Sequence, residues 1–363
     1  MRRVIHRIAA LALAVCLLLS LAACGAAGSG TGKYPFRTVR MIVPYGANGT
    51  TDLVGRKLGA ALERALGVSV VIDNQPGASG SLGCRAALDA PRDGSVLLFA
   101  ADSLGTQRVM GISDMSYDDF DPIYTVANDI KVIVVGKNSP YETIGDLLAA
   151  IEAAPNTVQM AYTGPGGSGH VQALIMNEFG YYPALTAYSS GSDGIIAVMS
   201  GQVVFTNANY STVADYLDAG ELRLLAVCAT ERMEKYPDVP ALSEVMAGSE
   251  ALLSIPYTPL SLLVAGGVPD DVQAMLRSAC EEAFRDSEFT EFMDSNSIEK
   301  LYEKYPTVEE TRAFYREWES TVCWLMADAG ATVYSPADFG IARPAARAGG
   351  EYTNKTRSGV RDS

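Results

Sequence analysis

From residue 37 onward, short apolar runs rich in β-forming residues alternate with helical patterns: RTVRMIVPY, LVGRKLGAALERAL, VSVVIDN, the SLGCRAALDA segment and SVLLFAA. The strand runs are almost continuously apolar, which fits a parallel sheet covered by helices on both faces. A second series begins near residue 130 with IKVIVVGK, TIGDLLAAIEAA, VQMAYTG, HVQALIMNEFG, the GIIAVMSG helix, VVFTNAN and LRLLAVCAT. It predicts a second sheet. Helix starts are marked by Thr143 with Asp146 three residues on, and by the capping box Thr307-Val308-Glu309-Glu310. Two long helical patterns, separated by Tyr305-Pro306, then run from Asp270 to about Ala331. Roughly 310 residues are thus available for folding, enough for two lobes with separate cores.

The ends of the chain have a different composition. Arg2, Arg3 and Arg7 precede an apolar run from Ile8 to Leu21, which closes on Leu21-Ala22-Ala23-Cys24. The run is short for a bilayer span and has the charged flank and small-residue end of a secretory leader, residues 1–23. The cysteine resembles that of a bacterial lipobox, which makes Cys24 the expected lipidation site. Residues 24–33, small and glycine-rich, read as a flexible tether of at most about 30 Å. Residues 335–363, rich in Pro, Ala, Gly, Arg and Ser, read as a disordered tail.

Charge and cysteine content exclude several classes of function. The chain carries 28 Lys and Arg against 42 Asp and Glu, a formal net charge of −14, which makes nucleic acid an improbable partner. The same field cannot draw an anion in from a distance, so an anion site is expected to be built from local dipoles. Cys84, Cys228, Cys280 and Cys323 form no C-x-x-C pair and read as four buried thiols, with a Cys280–Cys323 bridge as the alternative. His170 is the one histidine outside the leader. With no G-x-S-x-G elbow, no histidine cluster and no cysteine cluster, the residues suggest no catalytic set and no metal site.

The turns after the strands are more informative. VRMIVPY runs into Gly46-Ala47-Asn48-Gly49-Thr50-Thr51-Asp52 and then into a helix with Val54, Leu58, Leu62 and Leu66 on one face. Such a turn presents the unpaired N–H groups and positive dipole end of a helix, which can bind a carboxylate without lysine or arginine. Asp52 can cap N–H groups, hold a bridging water or accept from a ligand hydroxyl; alternatively Thr51 and Asp52 only cap the helix. Lying on a loop outside the apolar runs, Asp52 is expected to be replaceable with little loss of fold. VQMAYTG leads into a second turn of this kind, Pro165-Gly166-Gly167-Ser168-Gly169-His170. Tyr188-Ser189-Ser190-Gly191-Ser192-Asp193 is a third, and Ala101-Asp102-Ser103-Leu104 follows another strand. Ligands of open α/β sheets bind beyond the carboxyl ends of the strands, so two facing lobes would aim these turns into one cleft. His170 has a packing role as its alternative.

In order and spacing these segments resemble the tripartite tricarboxylate transporter receptor family, the Bug-type extracytoplasmic solute receptors. The resemblance spans about residues 34 to 332. It rests on Tyr34-Pro35 with the strand ending IVPY, the loop GANGTTD, the stretch Asp73-Asn74-Gln75-Pro76-Gly77-Ala78-Ser79-Gly80, Asp93-Gly94, the GPGGSGH turn, Ser200-Gly201-Gln202-Val203, and Pro237-Asp238-Val239-Pro240. It implies an α/β, two-lobed periplasmic-binding-protein fold of type II (Venus-flytrap) with two hinge crossings, near Ala127 to Ile130 and near Leu252 to Tyr257. Residues 34–129 plus 253–334 would form the first lobe and residues 130–252 the second. Carried onto matching positions, the ligand-binding set is Asn48, Gly49, Thr50, Thr51 and Asp52 from the first turn, and Gly166, Gly167, Ser168 and His170 from the second. Ser103, Tyr188 and Asp193 join it from the other polar turns.

The implied activity is capture, not catalysis: a small tri- or dicarboxylate or related organic acid is taken up by an extracytoplasmic, lipid-anchored, monomeric receptor and handed to membrane permease subunits, with no cofactor. A sensor for a membrane kinase and an extracytoplasmic hydrolase are the alternatives. Two positions depart from the family pattern. Ser189 stands where a basic residue is common, and Ser254-Ile255-Pro256-Tyr257 where Ser-Trp-Phe is common, so a dicarboxylate, an amino acid or an aromatic acid fits as well as a tricarboxylate.

Overall fold

The computed structural model describes residues 33–344. The leader, Cys24, the tether up to residue 32 and the tail beyond residue 344 lie outside the described residues. The chain opens with β1 (Thr38–Val43), α1 (Thr50–Leu66), β2 (Ser69–Asn74), α2 (Ser81–Leu88), β3 (Val96–Ala100) and β4 (Phe120–Asn128). It continues with β5 (Lys131–Gly136), α3 (Ile144–Ala153), β6 (Gln159–Tyr162), α4 (Ser168–Glu178), β7 (Ala184–Ala187), α5 (Gly191–Met199), β8 (Phe205–Asn209), α6 (Tyr210–Asp218) and β9 (Leu222–Val227). Short helices α7 (Leu242–Val245) and α8 (Glu250–Leu253) lead to β10 (Pro259–Ala265). The chain then forms α9 (Asp270–Ala283), α10 (Ser287–Ser295), β11 (Glu299–Lys300), α11 (Leu301–Lys304) and α12 (Val308–Asp328).

Among the described residues the strands form two sheets, ordered β11-β4-β10-β3-β1-β2 and β7-β6-β8-β5-β9. This is the expected two-lobed α/β fold, with one correction: neither sheet is wholly parallel. β10 runs antiparallel to β3 and β4, and β5 antiparallel to β8 and β9, because each is the strand on which the chain has just crossed from the other sheet. β4 escapes recognition in the sequence because Pro122, which cannot donate to a ladder, interrupts it. The structure accommodates the proline where the β4–β10 register shifts between Leu262 and Leu263.

The apolar runs are buried as their composition requires. Val39, Met41, Ile42 and Val43 of β1 are fully buried, as are Val54, Leu58 and Leu62 on the inner face of α1. Gly55 and Gly59 let α1 lie close on the sheet, since a Cβ at either would meet Phe99 or Ile72 at 3.0 Å. The four cysteines are buried free thiols. The two crossings are tied to each other: Thr258 N donates to Asn128 Oδ1 at 3.0 Å, and Asn209 Nδ2 donates to Thr258 Oγ1 at 3.0 Å and to Asp129 O at 2.9 Å.

The boundary expected at residue 335 is not a loss of order. Ser335 caps a short 3-10 turn, Pro336–Phe339. Trp324 Nε1 donates to Ile341 O at 3.0 Å, while Arg343 pairs with Asp328 at 2.8 Å and lies over the Trp324 ring. The composition is that of a tail, but the long helix α12 supplies the surface that orders residues 335–344. No helix among the described residues is long and apolar enough to cross a membrane.

Candidate functional site

The turns that follow β1, β3, β6 and β7 converge on one cavity of about 550 Å³ between the two sheets. Each turn opens a helix or a 3-10 turn, so the cavity is bounded by peptide N–H groups. At the first turn Asn48 takes a left-handed backbone, φ 62, and Gly49 is the N-cap of α1. The amides of Thr50 and Thr51 have no acceptor among the described residues and both residues line the cavity. At the second turn Gly167 is the N-cap of α4 and Ser168 its first residue, while Ser190 caps α5 through the Asp193 amide at 3.1 Å. The turns face one another. Ser192 Oγ donates to Asn48 O at 2.8 Å, Ser79 Oγ to Pro165 O at 2.9 Å and Thr106 Oγ1 to Gly166 O at 2.8 Å, all from one lobe to the other. Gly46 sits so close to Ser190 that a Cβ on it would lie 2.9 Å from the serine Cβ.

Of the expected ligand set, Gly49, Thr50, Thr51, Ser168 and Tyr188 line the cavity. The others support it from behind or stand aside. Asp52 is fully buried beneath its own turn, where its carboxylate accepts from Asn48 N at 2.9 Å, Asn74 Nδ2 at 3.0 Å and Arg56 Nε at 2.9 Å. Burial opposes its ionisation, but the bonds from Arg56, Asn48 and Asn74 outweigh burial and hold the carboxyl below its usual value. Of the readings open for Asp52, direct contact with a ligand does not fit its full burial: it is the strut of the first turn, and it accepts from the Asn48 amide. Ser103 faces Tyr45, at 2.5 Å, and Ser79 O, at 2.9 Å. Gly166, with φ 86, donates its amide to Nδ1 of His170 at 3.3 Å, so His170 braces the turn from within its lobe, the packing alternative. Burial lowers the His170 pKa. Gly167 contributes only its place as N-cap, and Asp193 is exposed at the start of α5.

Two charged residues outside that set line the cavity. Asp102, 4 % exposed, reaches across from the end of β3 and accepts from Ser168 N at 2.5 Å. Burial pushes its carboxyl up to about 6, against the pull of Lys131 and of the Ser168 amide. Lys131, 7 % exposed, opens β5, and its Nζ donates to Asn207 O at 3.2 Å and to Asn209 Oδ1 at 2.9 Å. Lys131 thus adds a basic side chain to a wall expected to offer local dipoles alone. In the sequence Lys131 is a lone charge at the head of IKVIVVGK, and only the antiparallel pairing with β8 brings that end of the strand to the cleft. At the crossing Asp129 accepts from Thr50 Oγ1, Ser211 Oγ and, at 3.4 Å, Ser211 N. This ties the first turn to the second lobe.

No group of three or more His, Cys, Asp or Glu residues among those described could hold a metal ion. The arrangement suits the enclosure of a small anionic molecule by amides, hydroxyls and one ammonium.

Comparison with known proteins agrees with this geometry. Residues 54–313 match the model of the tripartite tricarboxylate transporter family receptor. The protein BugT of Bordetella pertussis is 25% identical over 286 residues, covering 77% of this chain and 86% of the relative. Among solved structures, the periplasmic binding protein BugD has a TM-score of 0.76 at 23% identity, covering 82% of this chain and 99% of that one. MatC of Rhodopseudomonas palustris with bound malate has a TM-score of 0.74 at 20% identity, covering 80% and 99%.

Proposed function

Because the chain belongs to the tripartite tricarboxylate transporter receptor family, an extracytoplasmic solute-binding family and not an enzyme family, we propose that it captures a small organic acid for a membrane permease. The observation that carries the reading is the set of unpaired amides at the starts of α1 and α5, facing one cavity from the two lobes with Lys131 beside them. Helix N-termini bind carboxylates through such amides and their dipoles. The malate of MatC, a protein of the same fold, is a ligand of that class. In this reading residues 34–129 with 253–334 and residues 130–252 close on the ligand as two bodies, since contacts to both favour the closed state. Gly49, Thr50, Thr51, Ser168 and Tyr188 contact it, while Asn48, Asp52, Ser103, Gly166, Gly167, His170 and Asp193 shape the walls. The receptor works as a monomer, held to the membrane by lipid on Cys24.

A thermal-shift screen of the purified protein against di- and tricarboxylates, amino acids and aromatic acids tests this. A ligand at about a hundred times its Kd adds about 2.7 kcal/mol of stability by mass action. At least one carboxylate is expected to raise the melting temperature without being consumed; a panel in which none does, or in which a product accumulates, refutes the reading.

A further inference from the structure

The second glycine-rich turn is gripped across the cleft at three of its backbone groups. Ser79 Oγ donates to Pro165 O at 2.9 Å, Thr106 Oγ1 donates to Gly166 O at 2.8 Å, and the Ser168 amide donates to the Asp102 carboxylate at 2.5 Å. Ser79, Asp102 and Thr106 all belong to the first lobe. The approach requires glycine at 166: its φ is 86, and a Cβ there would meet Thr106 Oγ1 at 2.7 Å and Met110 Cγ at 3.1 Å. The grip is set in advance from the first lobe's side. Ala78 and Ser79 take left-handed backbone, φ 45 and 51, which a residue with a side chain adopts only at a cost, and Ser103 Oγ holds Ser79 O at 2.9 Å.

The Asp102 bond replaces a cap that α4 lacks. α3, α5 and α12 each begin with a capping side chain of their own, Thr143, Ser190 and Thr307. The N-cap of α4 is Gly167, which has no side chain to offer, and the first amide of the helix is taken by a carboxylate from the other lobe. Such an amide and the dipole behind it favour an anion. Lys131, also of the second lobe, adds attraction at longer range. Asp102, almost fully buried, and Thr106, fully buried, would be costly here without these partners.

We propose that Ser79, Asp102 and Thr106 form a latch between the lobes, in which Asp102 caps α4 only while the cleft is closed. The bonds are made within the chain, so the latch biases the hinge toward closure whatever the cavity holds. Opening strips α4 of its cap and hands both partners to water. Asp102 is therefore a positioning residue for the second turn. Apparent affinity scales with the fraction of molecules in the binding-competent form, so the latch sets part of the affinity.

Small-angle X-ray scattering of the full-length protein, dialysed free of organic acids, reads closure as the radius of gyration, with circular dichroism confirming the fold of each variant. At mildly alkaline pH the Asp102 carboxyl is ionised. There Asp102→Ala should lower the closed-to-open ratio about tenfold or more and enlarge the radius of gyration, and adding Thr106→Val should enlarge it further. Asp102→Asn, which keeps a carbonyl oxygen for the Ser168 amide, should stay nearer the wild type than Asp102→Ala does. Ser168→Pro removes the amide at a helix position that tolerates proline. It should open the wild type but add little to Asp102→Ala, because the two substitutions remove one bond. Folded alanine and double variants as compact as the wild type would overturn the latch. So would effects of Asp102→Ala and Ser168→Pro that simply add, or an asparagine variant as open as the alanine one. No ligand takes part in these measurements, so their failure leaves the receptor reading standing, and the thermal-shift screen decides that reading separately.

Discussion

Glu319 gives the sharpest stability prediction. It lies on α12, 7 % exposed, against Gly105 of the first lobe, and its Oε1 has no hydrogen-bond partner among the described residues. Burial pushes its carboxyl from the ordinary 4.5 up to about 7; Arg108 pulls it down and Asp118 pushes it up. The folded state therefore binds the Glu319 proton more tightly than the unfolded chain does. The resulting stabilisation is fully present below the unfolded value of 4.5 and is lost as pH rises to about 7. A shift of this size corresponds to about 3 kcal/mol, and shallow exposure gives solvent little chance to screen it. Glu319→Gln removes the titration while keeping the shape. Urea unfolding, followed by tryptophan fluorescence at several pH values from acid to mildly alkaline, should show the variant gaining about 3 kcal/mol on the wild type across this window. Other carboxyls, Asp102 among them, titrate in both proteins and cancel in the difference. Parallel curves for the two proteins would refute the argument.

Asp52→Ala should destabilise the fold by about 1 to 3 kcal/mol, because it removes the acceptor of the Asn48 amide and one bond each of Asn74 and Arg56; a cost under about half a kcal/mol in urea unfolding would show that the first turn does not depend on it. Cys24→Ala should move the protein from the membrane fraction to the soluble extracytoplasmic fraction; a variant that stays with the membrane would remove the lipid from the proposal.

The alternation of apolar runs with helical patterns, and the glycine-rich turns between them, made the two-lobed α/β fold legible, since parallel strands buried on both faces need no polar alternation. The less readable parts have local causes. β4 carries Pro122, and β7, with Leu185 partly exposed at the edge of its sheet, is short. Residues 335–344 owe their order to Trp324 and Asp328, which lie earlier in the chain. At the site, the turns were visible because glycine and small hydroxyl residues stand where a helix begins. Which side chains enter the cavity was not visible. Asp52 and Ser103 turn inward to partners brought near by folding, Asn74 and Tyr45, whereas Lys131 gains its position from a strand pairing 78 residues away in sequence. A periodicity argument reads faces and not such distant partners.

The clasp between Asn128, Thr258 and Asn209 has a mechanical meaning. Two independent connecting strands would let the halves twist and slide as well as bend. Riveted side by side, they behave like the spine of a book, and the movement left to the covers is a swing about that line. Asn209 and Thr258 also border the cavity, so a change in them alters its wall as well as how much work a swing requires. Affinity in this receptor should therefore respond to substitutions at Thr258 through the swing as well as through the cavity wall that Thr258 borders.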